Sequence, residues 1–110
     1  MNSKKSIITK YTDTCLICNN PYVQTHHLLS GSNRQKADDD SLICGLCDTH
    51  HNGDKNLSVH LNPAMNVWSK IAAQLAWEKH YIAQQRGLPF EDIEEDARKS
   101  FVARYGKSYI

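Results

Sequence analysis

The chain has 110 residues, 40% hydrophobic and 23% charged, with a formal net charge of +1. That length suits one small domain, whose core is thin enough to lean on a metal or disulfides. No apolar run approaches the roughly 20 residues needed to span a bilayer, and a charge this close to zero will not draw in nucleic acid without a local basic patch.

Residues 1–14 read as a polar lead-in, with a short strand expected at 7–11. Ile7 and Ile8 are too few in a row for a signal-peptide core. A cytoplasmic protein is therefore expected, in which reduced cysteines serve as ligands or nucleophiles. Residues 15–51 hold all four cysteines and four of the six histidines. Asn19-Asn20-Pro21 and Gly31-Ser32-Asn33 mark turns. The alternation over residues 22–29 predicts one arm of a hairpin; the acidic stretch 38–40 breaks the pattern and 42–46 resumes it.

The second half reads as helical. Asn62 before Pro63 is an N-cap and first-turn pair. Trp68, Ile71, Ala72, Leu75 and Ile82 then recur at helical spacing, which predicts the buried face. Gly87 and Pro89 end that helix. A second helix is expected over about 91–104, burying Ile93, Ala97, Phe101 and Val102. Its acidic start and the later Arg98, Lys99 and Arg104 suit the helix dipole. Both tryptophans are expected in the core, and His80 is read as structural. The basic residues available for a nucleic-acid patch are Lys4, Lys5 and Lys10, then Arg34 and Lys36, then Arg98, Lys99, Arg104 and Lys107. Each singly is ordinary surface charge.

The chemistry concentrates in two cysteine motifs and two histidine doublets. Cys15-Leu-Ile-Cys18 lets two thiolates reach one tetrahedral ion from a tight turn. Downstream stands Cys44-Gly-Leu-Cys47-Asp-Thr-His50-His51. Two completions are open: Cys44 with Cys47 in a four-cysteine site, or Cys47 with His50 in a three-cysteine, one-histidine site. Either site is closed to substrate. The doublets His26-His27 and His50-His51 supply what is missing. Strand neighbours point to opposite sides, so one of each pair can face a shared pocket. A divalent ion there would polarise a phosphate, and a neutral imidazole nearby would accept a proton from water.

The order Cys-x-x-Cys, His-His-Leu, then Leu-Cys-x-x-His-His-Asn-x-x-Lys resembles the HNH nucleases of the ββα-metal, or His-Me finger, type over residues 15–55. It is most similar to small, recombination-associated proteins of phages and prophages; the ending Tyr-Gly-Lys-Ser-Tyr-Ile adds to the likeness. The resemblance implies an α+β fold in one domain: a zinc-stabilised ββα-metal core over 15–60 and a C-terminal helical extension over 61–110. It implies a structural zinc on Cys15, Cys18, Cys47 and His50, with Cys44 as the alternative fourth ligand. It also implies a catalytic Mg²⁺ or other divalent ion on His26 and His51, and His27 as general base; His60 is open between a further ligand of that ion and a helix-capping or surface role. DNA is the implied substrate and recombination proteins are implied partners. The alternatives are a non-catalytic zinc module that binds DNA or assists recombination, and an interaction domain whose helical tail docks an oligomer. The family's middle Asn has no clear match; Asp40 and Ser41 lie nearest. Gly53 weakens the helix that should carry His51 onward.

Overall fold

Two short strands, β1 (Gln24–His27) and β2 (Ile43–Leu46), pair antiparallel with His26 opposite Cys44. The structure is a computed structural model and describes residues 5–85 and 90–110. Every residue of β2 is buried, whereas β1 buries only His26 fully. Gly45 is required in β2: a Cβ there would meet Thr12 O at 2.7 Å and Thr14 O at 2.9 Å. The missing side chain lets the cysteine turn lie directly on the strand, where Leu16 N donates to Gly45 O.

The strand expected at 7–11 does not form. Ser6 Oγ turns back to accept from Ile8 N at 2.9 Å, which bends the backbone. Ile7 and Ile8 still pack on the core. Between the strands runs a helix that the hydrophobic pattern does not show, α1 (Arg34–Asp39). It buries only Ala37, so no apolar period marks it. It closes with Leu42 N donating to Ala37 O, and Ser41 takes the left-handed region at φ 61°.

The long helix α2 (Pro63–Gln84) starts as expected, with Asn62 Oδ1 accepting from Met65 N at 3.0 Å. The expected stop at Gly87 and Pro89 lies outside the described residues. Only part of the expected face is covered: Ile71, Ala72 and Ile82 are half-buried, with Ala72 on the core. Trp68 and Leu75 are 36% and 53% exposed, and the fully buried positions are Ser69, Ala73, Gln74 and Glu78. The helix packs through polar partners. Gln74 holds Ser108 and the Tyr109 backbone N–H, and Glu78 accepts from Arg98 Nε at 2.7 Å. Of the two tryptophans, Trp77 packs on the core and Trp68 lies at the surface.

Helix α3 (Phe90–Tyr105) follows the expectation, burying Ile93, Ala97, Phe101 and Tyr105, with Val102 half-buried. Phe101 meets Trp77 edge-to-face at 5.6 Å and lies tilted against Tyr105 at 4.8 Å. Asp40, just past α1, accepts from Arg104, Trp77 Nε1 and the Tyr105 hydroxyl, tying the strand connection to both long helices. No helix among the described residues is long and apolar enough to cross a membrane.

Candidate metal centres

The first centre is built from a tight turn and the end of β2. Cys15 N donates to Asn20 O and Asn19 N to Cys15 O, with Asn19 at a left-handed φ of 63°. This curl presents the Cys15 and Cys18 sulfurs on one side. Past β2 the chain enters a single π-helical turn, Thr49–Gly53, which swings His50 back over Cys47. One donor atom each from Cys15, Cys18, Cys47 and His50 lies within 4.8 Å of the others. Cys18 Sγ is 3.7 Å from Cys47 Sγ, and His50 Nδ1 is 3.2 Å from Cys47 Sγ and 3.8 Å from Cys15 Sγ. A tetrahedron with metal–sulfur bonds of about 2.3 Å has edges near 3.8 Å. The four donors are thus close enough to hold a metal ion, and their spacing is compatible with zinc.

Local electrostatics separate Cys15 from Cys44. Burial works to raise the Cys15 thiol, but the backbone N–H groups of Cys47, Cys18 and Ile17 outweigh it and bring the pKa down to about 6. Donors aimed at a sulfur prepare it as a thiolate. Cys44 is buried in β2 and stands outside the cluster. Burial, with the charge of Cys15, pushes its thiol up to about 12, so it stays a small neutral core residue.

The second centre is a histidine trio. His26, on β1, meets His51 and His60, with ring centroids 5.4 and 5.2 Å away. The π-turn stops at Gly53, where a Cβ would strike Asp48 Oδ2 at 2.7 Å. The chain then folds back: Val59 N donates to His50 O and His60 N to His51 O. These two backbone bonds deliver His60 from nine residues downstream, so His51 Nε2 and His60 Nε2 stand 3.1 Å apart. His51 Nδ1 donates to Gln24 Oε1 at 2.6 Å, which leaves its Nε2 as the ligand atom. His26 Nδ1 is buried and has no hydrogen-bond partner among the described residues. One nitrogen from each ring lies within 4.8 Å of the others. An orphaned buried ring nitrogen on a histidine packed beside two more imidazoles fits a metal ligand set.

His27 is not in the trio. It lies on the other face of β1, where Nε2 meets Asp38 Oδ1 at 3.0 Å. A cavity of about 160 Å³ opens there, lined by His27, Arg34, Gln35 and Asp38. His80 is exposed on α2 and contacts only Gln84 among the bonds seen. Several of the candidate basic residues are engaged: Arg98 with Glu78, Lys99 with Glu95, Arg104 with Asp40, and Lys36 with Arg104 O. Lys4 lies outside the described residues. Ser69 and Gln24, which touch the histidine ligands, carried no sequence signal; only a partner for a buried imidazole could have marked them.

Burial, then the neighbouring His60, His51 and His27, pushes His26 down from 6.5 to about 3. Burial and His60 also lower His51, against the pull of Asp48. The unfolded chain therefore protonates His26 below pH 6.5 while the folded chain does not until about pH 3. The His26 contribution to stability is expected to be complete above pH 6.5 and to be lost as pH drops through this window, by up to about 1.4 kcal/mol per pH unit. Urea melts across the window should show this slope, and His26→Gln should flatten it. Equal slopes in the two proteins would contradict the assignment.

Compared with family models, characterised proteins and solved structures, the chain matches none.

Proposed function

We propose that the protein is a metal-dependent endonuclease of the HNH, ββα-metal type, acting on DNA phosphodiester bonds. The observation that carries this reading is the trio of His26, His51 and His60, gathered beside a separate Cys15–Cys18–Cys47–His50 cluster. In this reading the cysteine cluster holds zinc as a scaffold, and the trio holds the working ion. The helix of the ββα unit is reduced to the π-turn, and the backbone fold-back supplies His60 in its place.

A divalent ion in the trio would polarise the scissile phosphate and offset charge on the leaving oxygen. Mg²⁺ is a poor choice for it, because Mg²⁺ prefers oxygen ligands and water, whereas three imidazoles suit Zn²⁺, Ni²⁺ or Co²⁺. His27 would take the proton from the attacking water. Asp38 accepts from its Nε2–H, holding the ring and leaving Nδ1 free as the base. The two faces of β1 meet at its outer edge, which is unpaired among the described residues. In this reading a backbone phosphate would lie along that edge, between the trio and His27, with Arg34 exposed beside His27 to meet its charge.

The test is nicking of supercoiled and single-stranded DNA by purified protein with Mn²⁺, Ni²⁺, Co²⁺, Zn²⁺ or Mg²⁺. His26→Ala should abolish cutting, and His27→Ala should slow it by about 10²–10⁴-fold. No cutting with any ion, and no difference between His27→Ala and wild type, would end this reading. The separation of His27 from the trio favours a second one, a non-catalytic zinc module that binds DNA or a recombination partner. Salt-dependent DNA affinity that survives loss of both His27 and His51 would support it.

A further inference from the structure

We propose that Ser69 is a positioning residue of the histidine site, so that α2 sets the geometry of a site whose ligands all lie outside that helix. The proposal rests on the reading that the trio holds a metal. Ser69 stands 43 residues from His26 in sequence, yet its Oγ is 2.9 Å from His26 Nε2. The same hydroxyl is 2.9 Å from Leu28 O. A serine has one hydroxyl proton, and a carbonyl oxygen can only accept. The proton therefore goes to Leu28 O, and Ser69 Oγ accepts from His26 Nε2–H.

That assignment decides the other ring nitrogen. A neutral imidazole carries one ring proton, so with Nε2 protonated His26 Nδ1 bears a lone pair. Nδ1 is the buried atom that nothing else answers. Ser69 is 1% exposed and His26 3%, so water does not compete for either contact. Without the hydroxyl, the proton is free to move to Nδ1, and a protonated Nδ1 cannot ligate. Partners of this kind fix the tautomer and orientation of metal-binding histidines.

A second contact from the same helix points the same way. Asn66, three residues earlier and so on the same side of α2, donates through Nδ2 to Val59 O at 3.2 Å. That bond pins the backbone immediately before His60. One helix side thus locks the ring of one ligand and the main chain of another. It also explains why a buried position on α2 is a serine where a core helix would place an apolar residue.

The experiment compares wild type, Ser69→Ala, Ser69→Thr and His60→Ala, each with its cysteine cluster zinc-loaded. Co²⁺ binding is followed by calorimetry and visible absorption, and the His26 tautomer by long-range ¹H–¹⁵N NMR before Co²⁺ is added. Wild type should take up one Co²⁺ that His60→Ala does not. Ser69→Ala should weaken it by about 10–100-fold, and Ser69→Thr, which keeps the hydroxyl, should recover most of the loss. His26 should be the Nε2–H tautomer in wild type and a mixture in Ser69→Ala. Binding by Ser69→Ala within about twofold of wild type would overturn the proposal alone. So would an Nδ1–H tautomer in wild-type His26, a readout that decides the matter even if Ser69→Ala does not fold. No histidine-dependent ion in wild type would instead overturn the metal reading, and this proposal with it.

Discussion

Cys47→Ser should unfold the protein, whereas Cys44→Ala, three residues away, should leave it folded with its metal content unchanged. Cys47 Sγ lies 3.7 Å from Cys18 Sγ and 3.2 Å from His50 Nδ1, so its loss removes the ligand that joins the cysteine turn to the π-turn. Apparent binding energies for structural zinc run to about 10–16 kcal/mol, and a whole domain is stable by only about 5–15 kcal/mol. With zinc held by the cluster, as proposed, losing the ion would be enough to lose the fold. The region at stake is central, because Cys15 and Cys47 sit in the buried core beside Leu46 and Leu29. Cys44→Ala removes one sulfur from an apolar site, a loss of about 1 kcal/mol. Near-ultraviolet circular dichroism and thermal melts, with metal counted per chain, separate the two outcomes. Equal melting curves for Cys47→Ser and wild type would show that this cluster is no structural site.

Asp40→Ala should be the most damaging change away from the metal centres. Its carboxylate accepts from Arg104 Nη2 at 2.8 Å and Trp77 Nε1 at 2.9 Å, and also from Arg104 Nε and the Tyr105 hydroxyl. The hydrogen bond to Asp40, helped by Tyr105 and opposed by burial, raises the Arg104 pKa, and burial followed by Asp40 raises that of Tyr105. Removing the acceptor strands a cation, an indole N–H and a phenol at the junction of α1, α2 and α3. Breaking a buried pair costs about 3–5 kcal/mol. Arg104 is 36% exposed, so solvent screening trims this toward about 2–3 kcal/mol. For a domain this small that is a fall in Tm of roughly 10 °C or more. The neighbouring Asp39→Ala is the control. Asp39 is exposed and meets only Gln35 Nε2 among the bonds seen, so the change should stay within about 0.5 kcal/mol. Similar melting temperatures for the two variants would remove Asp40 from this role.

The same residue shows how a sequence reading and a structure diverge. Asp40 lies nearest the place where the resemblance expects an asparagine ordering the metal loop. Its side chain instead binds residues 77, 104 and 105. No local pattern announces that, because all three partners come from the far end of the chain. Helix α2 gives a second case. Its apolar residues recur at helical spacing, yet Trp68 and Leu75 face outward, because the inward side serves a histidine and the C-terminal segment through Ser69 and Gln74. Hydrophobic period finds the side that prefers oil, and it misses a side buried for hydrogen bonding.

What the sequence alone determined are the short-range features. The Cys-x-x-Cys turn, the Cys47 and His50 spacing and the Asn62-Pro63 helix start each depend on residues within a turn of one another, so their chemistry is written in their spacing. The buried stripe of Ile93, Ala97 and Phe101 was legible for the same reason. Choosing between His50 and Cys44 needed the fold, because only β2 shows that Cys44 points into the core while the π-turn brings His50 to the sulfurs. The membership of His60, the turning of His27 away from the trio toward Asp38, and the hydroxyl behind His26 were decided by tertiary structure as well. Each depends on pairing or fold-back between distant segments, and a ring nitrogen's role is set by whichever atom the fold places against it.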